Sequence, residues 1–109
     1  MCILIAVIDK RNAEEFFKGF HIDAFFMSIS GISLTEGLTD YGLGEYQVKM
    51  KMLEISRNCT VLADSSKFDI ASLLKVCQFD RIDRIISDSK LSEIILKKYE
   101  KEGIEIVNK

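Results

Sequence analysis

Short apolar runs alternate along this chain with stretches in which apolar residues recur at helical spacing. Residues 3–8 and 24–29 are runs of the first kind, and they predict strands buried on both faces of a sheet. Residues 45–58 are of the second kind, with an apolar stripe that follows the 3.6-residue repeat. Such alternation predicts an α/β domain, in which helices flank a mostly parallel sheet with right-handed crossovers.

The remaining segments fit the same scheme. Asn12 and Glu15 form the pattern of a capping box ahead of a helix, whose inner stripe carries Phe16, Phe17 and Phe20. Ser92 is predicted to cap the last helix, which Gly103 ends. Further strands are expected at residues 60–63, 71–76, 84–87 and 104–107, with a turn or a single helical turn at 79–83.

Residues 30–44 follow neither repeat. This stretch contains four glycines: Gly31, Gly37, Gly42 and Gly44. Glycine is used where the backbone needs a positive φ or must approach another group closely. A loop of this length in a small domain usually has a function. We therefore predict a functional loop that packs beside residues 64–67.

The most distinctive stretch is Val-Leu-Ala-Asp-Ser-Ser-Lys-Phe at residues 61–68. It reads as the end of a buried strand, followed by an acid, two hydroxyls and a lysine, with Phe68 able to anchor the loop in the core. In open α/β sheets, ligands bind where strands end at their carboxyl edge. Small donors and one positive charge suit a phosphate or another anionic, oxygen-rich ligand. The alternative is a solvated turn in which Asp64 or Ser65 caps backbone amides.

Four blocks occur in a fixed order along the chain. They are Ser-Ile-Ser-Gly-Ile-Ser at 28–33, Glu-Gly-Leu-Thr at 36–39, Glu-Tyr-Gln-Val-Lys at 45–49 and Ala-Asp-Ser-Ser-Lys-Phe at 63–68. This succession resembles the carboxyl-terminal effector domain of the DeoR family of bacterial transcriptional repressors, over residues 13–107. The resemblance implies part of the fold of ribose-5-phosphate isomerase and coenzyme A transferases. It also implies that the domain senses phosphorylated sugars or related metabolites.

The loop after the strand supplies the first candidate ligand contacts. Lys67 is expected to contact a phosphate oxygen as a point charge. Ser65 and Ser66 would donate hydroxyl or amide hydrogens beside it. Asp64 is expected to shape the loop or to accept a hydrogen bond from a sugar hydroxyl.

Other candidates precede this loop. Gly31 would let the backbone close on the ligand, with Ser30 next to it. Many relatives have an acid before this glycine, and its replacement by Ser30 argues against an isomerase-like acid–base role. Thr39 and Lys49 are further candidate contacts. For Lys49 the alternative is an exposed helical ion pair with Glu45, worth only a few tenths of a kcal/mol.

Two alternatives to a ligand sensor remain open. One is a small phosphosugar isomerase or transferase-like enzyme of the same fold, which would need Glu45, Asp64 or Asp88 as a general base. The other is an interaction remnant that binds no ligand. The sequence contains no nucleophile–base pair or metal-ligand cluster with readable spacing. We therefore predict no catalytic residue, metal or cofactor, and a structural role for His21.

The charge balance bears on nucleic-acid binding. Net charge is −2, with 15 basic and 17 acidic residues, which gives no electrostatic case for DNA binding by this chain alone. Full DeoR-type repressors carry a helix-turn-helix domain and a first part of the effector domain ahead of the matching region. We expect residues 1–109 to form a single partial effector domain that reaches DNA only through such a helix-turn-helix domain. A sheet shortened at one side has a free edge, so we also expect a homo-oligomer.

The apolar run at residues 2–8 is far too short to span a bilayer, and it lacks the flanks of a signal peptide. Cys2, Cys59 and Cys77 lie in apolar stretches without paired metal spacing. They are expected to be buried, reduced thiols of a cytoplasmic protein. The sequence therefore predicts no membrane partner.

Overall fold

A computed structural model describes residues 22–108 of the chain. The predicted strand at 3–8, the predicted helix with its three phenylalanines, Cys2 and His21 lie outside the described residues. Within them the order is β1 (Ile22–Ser28), β2 (Gly31–Ser33), β3 (Gly37–Asp40), α1 (Leu43–Ile55), β4 (Ser56–Leu62), β5 (Leu74–Cys77), β6 (Arg84–Ser87), α2 (Glu93–Glu100) and β7 (Ile106–Asn108).

Four strands form one parallel sheet in the order β1-β4-β6-β7. Residues on one face of this sheet pack in the core, such as Met27 in β1, Val61 in β4 and Ile85 in β6, all of them buried. Helix α1 packs on this side through Met52 and Leu53, which belong to the same buried cluster. The predicted class, an α/β fold with a mostly parallel sheet flanked by helices, is confirmed.

The remaining three strands form a second sheet, which is antiparallel, in the order β2-β3-β5. The prediction of a loop over residues 30–44 was therefore wrong, because β2 and β3 form a hairpin there. All four residues of β3 are buried, so this strand shows no apolar–polar alternation that could reveal it. Gly37 begins β3 with a φ of +79°, a backbone conformation that favours glycine.

The junction between α1 and β4 also differs from the prediction. The helix ends at Ile55 and the strand begins at Ser56, with no connecting residues, whereas we expected a helix to residue 58 and a strand from residue 60. Neither glycine nor proline marks the junction, and Cys59 is apolar in both patterns. Its buried side chain belongs to β4, not to the helical stripe.

The structure of the carboxyl-terminal third agrees closely with the prediction made from the sequence. Strand β6 has the predicted bounds, and the Ser92 hydroxyl caps α2 by accepting a hydrogen bond from the Ile95 amide at 3.2 Å. Gly103 follows the helix with a φ of +86°. Strands β5 and β7 are shorter than predicted and lie one to three residues further along the chain.

Cys59 and Cys77 are free thiols, the first buried and the second partly buried. Burial raises the pKa of Cys59 to about 12 and that of Cys77 to about 11, so both are protonated at neutral pH. None of the helices within residues 22–108 has the length and apolar composition that a bilayer crossing requires.

Candidate functional site

Strands β1, β4 and β6 end side by side at one edge of the parallel sheet. Ser28 of β1 pairs with Leu62 of β4, which pairs with Ile86 of β6. The chain beyond these ends carries the candidate residues Ser30 and Asp64, and Asp88 beside them. The predicted position of the 64–67 loop, at the carboxyl edge of parallel strands, is therefore confirmed.

The loop itself is a single 3-10 turn over Ser65–Lys67, capped by Asp64. The Asp64 carboxylate accepts hydrogen bonds from the amide of Ser66 at 2.9 Å and from the Ser66 hydroxyl. These bonds stabilise the charged form, so the pKa of Asp64 lies below its ordinary value. Asp64 thus shapes the loop, one of the two roles expected for it.

Two further contacts define the surroundings of this turn. The Lys67 amine lies 3.9 Å from the Asp64 carboxylate, and its side chain is 39% exposed, so the amine remains accessible. The Ser65 amide donates to the Asp88 carboxylate at 3.3 Å, which ties the turn to the end of β6. Asp88 also accepts from the Lys90 amide at 3.0 Å. The Asp88 carboxylate therefore links the turn after β4 to the segment after β6.

A second cluster of predicted residues surrounds a carboxylate that was not among the predicted site residues. Asp40 ends β3 with a side chain that is only 1% exposed, and it forms an ion pair with Lys49 of α1. The Ser30 hydroxyl donates to the same carboxylate at 2.6 Å. Burial would raise the pKa of Asp40, but the hydrogen bonds from Lys49 and Ser30 and the charge of Lys49 outweigh it. The pKa therefore lies below its ordinary value.

This cluster bears on the alternative weighed for Lys49, an exposed ion pair with Glu45. Among the ion pairs of residues 22–108, Lys49 is joined to Asp40 rather than to Glu45, and its side chain is 13% exposed rather than solvated. One signal could have indicated this. Asp40 is the only charged residue between Glu36 and Glu45, at the end of a Gly-Leu-Thr block.

Gly31 and Thr39 lie together where the hairpin meets residues 70–72. A Cβ atom on Gly31 would lie 2.5 Å from the Ile70 carbonyl oxygen and 2.7 Å from the Thr39 hydroxyl. The Thr39 hydroxyl donates to the Gly31 carbonyl at 3.3 Å and accepts from the Ser72 amide at 2.8 Å. The close approach that Gly31 permits is therefore to the protein's own backbone.

The hairpin and the segment after the turn are neighbours, as expected for two walls of one site. Ile32 of β2 forms a parallel bridge with Phe68, and its carbonyl accepts from the Ile70 amide at 3.2 Å. Phe68 is 6% exposed, in agreement with its predicted anchoring role. The candidates Ser30 and Gly31 directly precede Ile32, and the candidate Lys67 directly precedes Phe68. The bridge therefore places these candidates on adjacent segments of the chain.

Other cavities lie at the opposite edge of the parallel sheet, where β4 and β6 begin. Two of them, each of about 280 Å³, are lined in part by Asp80 and Asp83, with Arg84 in one and Arg81 in the other. Carboxylates outnumber arginines in both linings, so neither cavity favours an anion. Residues 22–108 contain no group of three or more His, Cys, Asp or Glu side chains that could hold a metal ion.

Comparison with known proteins shows which family this chain resembles in sequence. A family model described as DeoR C terminal sensor domain matches residues 6–89. The HTH-type transcriptional regulator IolR of Bacillus subtilis (strain 168) is 38% identical over 88 residues, covering 81% of this chain and 32% of that protein. The L-fucose operon activator of Haemophilus influenzae is 30% identical over 92 residues, covering 84% and 37%. GolR of Listeria innocua, another HTH-type transcriptional regulator, is 28% identical over 89 residues, covering 82% and 35%.

The chain spans about a third of the length of the curated relatives it matches. The candidate residues from Ser30 to Lys67 all lie inside the range that the family model matches. Helix α2 and strand β7 lie beyond residue 89, outside that range.

Proposed function

Because the chain belongs to the DeoR family of transcriptional regulators and corresponds to their C-terminal sensor domain, we propose that it binds a phosphorylated sugar or a similar anionic metabolite as part of a repressor of sugar metabolism. In this proposal residues 1–109 form a single partial effector domain that acts in the cytoplasm. Contact with DNA is made only through a helix-turn-helix domain outside these residues. The relatives named above are described as regulators rather than enzymes, and the chain is assigned to the regulator class.

One observation carries the ligand proposal. The Ser65–Lys67 turn lies at the carboxyl edge of the parallel sheet, and the Lys67 amine is accessible there. Ligands of open α/β sheets bind at this edge. The Ser66 amide and hydroxyl donate to Asp64 and the Ser65 amide donates to Asp88, so the groups that this turn offers a phosphate are the Lys67 amine and the Ser65 hydroxyl.

The buried cluster would form the second wall of the proposed site. Ser30 donates its hydroxyl hydrogen to the Asp40 carboxylate, and Lys49, which pairs with the same carboxylate, has two further N–H donors in a defined position before any ligand binds. Gly31 and Thr39 support this wall through their contacts with residues 70–72. We propose Ser30, Gly31, Thr39 and Lys49 as ligand-binding or supporting residues on this basis.

The proposed mechanism is differential affinity. An anion that binds better to one arrangement of effector domains shifts the population towards it, and so repositions the attached DNA-binding domains. The free energy available for that shift is the difference between the affinities for the two arrangements.

A thermal-shift series with ribose 5-phosphate, glucose 6-phosphate and fructose 1-phosphate tests the ligand proposal. We expect at least one of them to raise the melting temperature, because a ligand that binds only the folded state stabilises it by about 2.7 kcal/mol at 100 times its Kd. Lys67→Ala should lose most of this increase. Lys97→Ala removes an exposed lysine that lies 3.9 Å from Glu93 on α2, and it should retain the increase.

Two outcomes of this series would count against the proposal. Equal stabilisation of the wild type and Lys67→Ala would remove Lys67 from the site. No stabilisation by any of the three compounds would favour the interaction remnant. Turnover of a sugar phosphate that is lost in Asp64→Asn or Asp88→Asn would instead revive the enzyme alternative.

Self-association is the second part of the proposal, and the parallel sheet supports it. Phe26, Leu62 and Ile86 project from neighbouring strands on the face opposite the buried core, and they are 45%, 42% and 36% exposed. Parallel sheets normally have both faces covered. A contiguous apolar patch on a soluble domain marks an interaction surface. We propose that a second copy of the chain covers this face.

Sedimentation analysis of Leu62→Lys tests this interface. A charge at the centre of the patch should weaken the dimer by at least about tenfold, since an unpaired buried charge is costly. Leu73→Lys is the matched control, because Leu73 is 83% exposed and precedes β5, away from this sheet. A wild-type monomer at high concentration, or equal dimer dissociation in both variants, would contradict the proposed interface.

A further inference from the structure

A buried phenol on α2 reaches between the two walls of the candidate site. Tyr99 is fully buried. Its hydroxyl lies within donating distance of the Asp69 carboxylate, at 2.8 Å, and of the Ile32 carbonyl, at 3.1 Å. The same oxygen accepts from the Asp69 amide at 3.3 Å. One side chain therefore contacts both the hairpin that follows Gly31 and the segment that follows Lys67.

Asp69 is held in an unusual backbone conformation at this point. Its φ is +61°, and among residues 22–108 it is the only non-glycine residue with a positive φ. Such conformations persist when surrounding contacts determine them. Besides Tyr99, the Lys98 amine contacts the Asp69 carboxylate at 3.0 Å. The Phe68 ring also packs edge-on against the Tyr99 ring, with centroids 5.3 Å apart.

We infer that Tyr99 and Asp69 are positioning residues, which fix the Lys67 turn against the Ile32 wall and connect the proposed anion site to α2. The inference rests on the proposed function, because it concerns the same site. Helix α2 lies outside the residues that the family model matches. The phenol carries one proton and faces two acceptors, one on each segment, so a single side chain of α2 links the turn to the Ile32 wall.

Amide hydrogen exchange on the full chain tests the positioning role without a ligand. Tyr99→Phe keeps the ring against Phe68 and removes only the hydroxyl. We expect exchange to accelerate by about fivefold at residues 67–70 and 32–33, a factor typical of one net hydrogen bond. Exchange at Val61 and Ile85 should not change. Tyr41→Phe, at a side chain that is 72% exposed, is the matched control.

Asp69→Gly and Asp69→Asn provide a second test that does not depend on the phenol. Glycine adopts the positive φ without strain, so Asp69→Gly should fold, yet it lacks the carboxylate and should show the same local acceleration. Asp69→Asn keeps an acceptor oxygen and tolerates this backbone conformation, so it should restore part of the protection. Uniform acceleration across both sheets, or no local change in either Tyr99→Phe or Asp69→Gly, would overturn the inference.

Ribose 5-phosphate binding, measured by calorimetry, separates this inference from the proposed function. We expect Tyr99→Phe to weaken binding about fivefold, and ligand-induced protection at residues 97–101 to be lost. Equal affinity in the wild type and Tyr99→Phe would overturn the inference and leave the proposed function intact. A second outcome is that the wild type binds no phosphosugar while Tyr99→Phe accelerates exchange at residues 67–70 and 32–33. The proposed function would then fail, and the positioning role of Tyr99 would stand.

Discussion

Replacing Asp40 with alanine should lower the free energy of unfolding by about 3–5 kcal/mol, the cost of breaking a buried ion pair on one side. The Asp40 side chain is 1% exposed and the Lys49 side chain 13% exposed, so neither charge is well solvated. The variant leaves Lys49 and the Ser30 hydroxyl without their acceptor. Urea denaturation, with the slope of the transition compared between variants, measures this change.

The matched control is an exposed ion pair on the same antiparallel sheet. The Lys75 amine lies 3.7 Å from the Glu36 carboxylate, and their side chains are 58% and 44% exposed. Lys75→Met should change the free energy of unfolding by less than about 1 kcal/mol. Lys49→Met should lower the free energy of unfolding about as much as Asp40→Ala does, because it leaves the Asp40 carboxylate buried and unpaired. Equal, small effects of Lys49→Met and Lys75→Met would show that the cluster is not important for stability.

The same cluster predicts an acid dependence of stability. The pKa of Asp40 in the folded chain lies below its ordinary value of 3.8. Its contribution to stability is therefore fully present above the unfolded pKa, and it is lost as pH falls through the lower folded value. Asp40→Asn removes this titration. The free energy of unfolding of this variant should depend less steeply on pH below about pH 4 than that of the wild type.

Replacing Gly31 with alanine should destabilise the fold by about 1–3 kcal/mol, because the added methyl group would overpack a filled space. Its Cβ atom would lie 2.5 Å from the Ile70 carbonyl oxygen, a backbone atom that cannot move alone. We expect a lower urea midpoint with an unchanged slope.

Gly42→Ala is the control for this substitution. Gly42 precedes α1 with a φ of −93°, and its nearest contact for a Cβ atom is Glu45 at 3.5 Å, an ordinary distance. Alanine is a poorer N-cap than glycine, which accounts for part of the effect of Gly42→Ala. Apart from this capping term, the substitution should lower the free energy of unfolding by no more than a few tenths of a kcal/mol. Equal stability of Gly31→Ala and Gly42→Ala would contradict the predicted overpacking at Gly31.

Features that depend on neighbouring residues were predictable from the sequence, whereas contacts between distant residues were not. The bounds of β6, the Ser92 cap and the position of the Ser65–Lys67 turn were all predicted, because each depends on residues within a few positions of one another. The β2–β3 hairpin was missed, because its strands are too short and too uniformly buried to show a repeat. The start of β4 was misplaced, because no breaker separates it from α1.

The sequence by itself determined the α/β class, the parallel sheet and the loop at its carboxyl edge, since apolar periodicity and turn chemistry are written in consecutive residues. Only the tertiary structure decided which side chains contact one another around that loop. It joined Lys49 to Asp40 instead of Glu45, and it brought Tyr99 into contact with Asp69, which lies thirty residues earlier in the chain. Such contacts arise where two sheets and two helices close on one another, and no local pattern of residues encodes the partner across that distance.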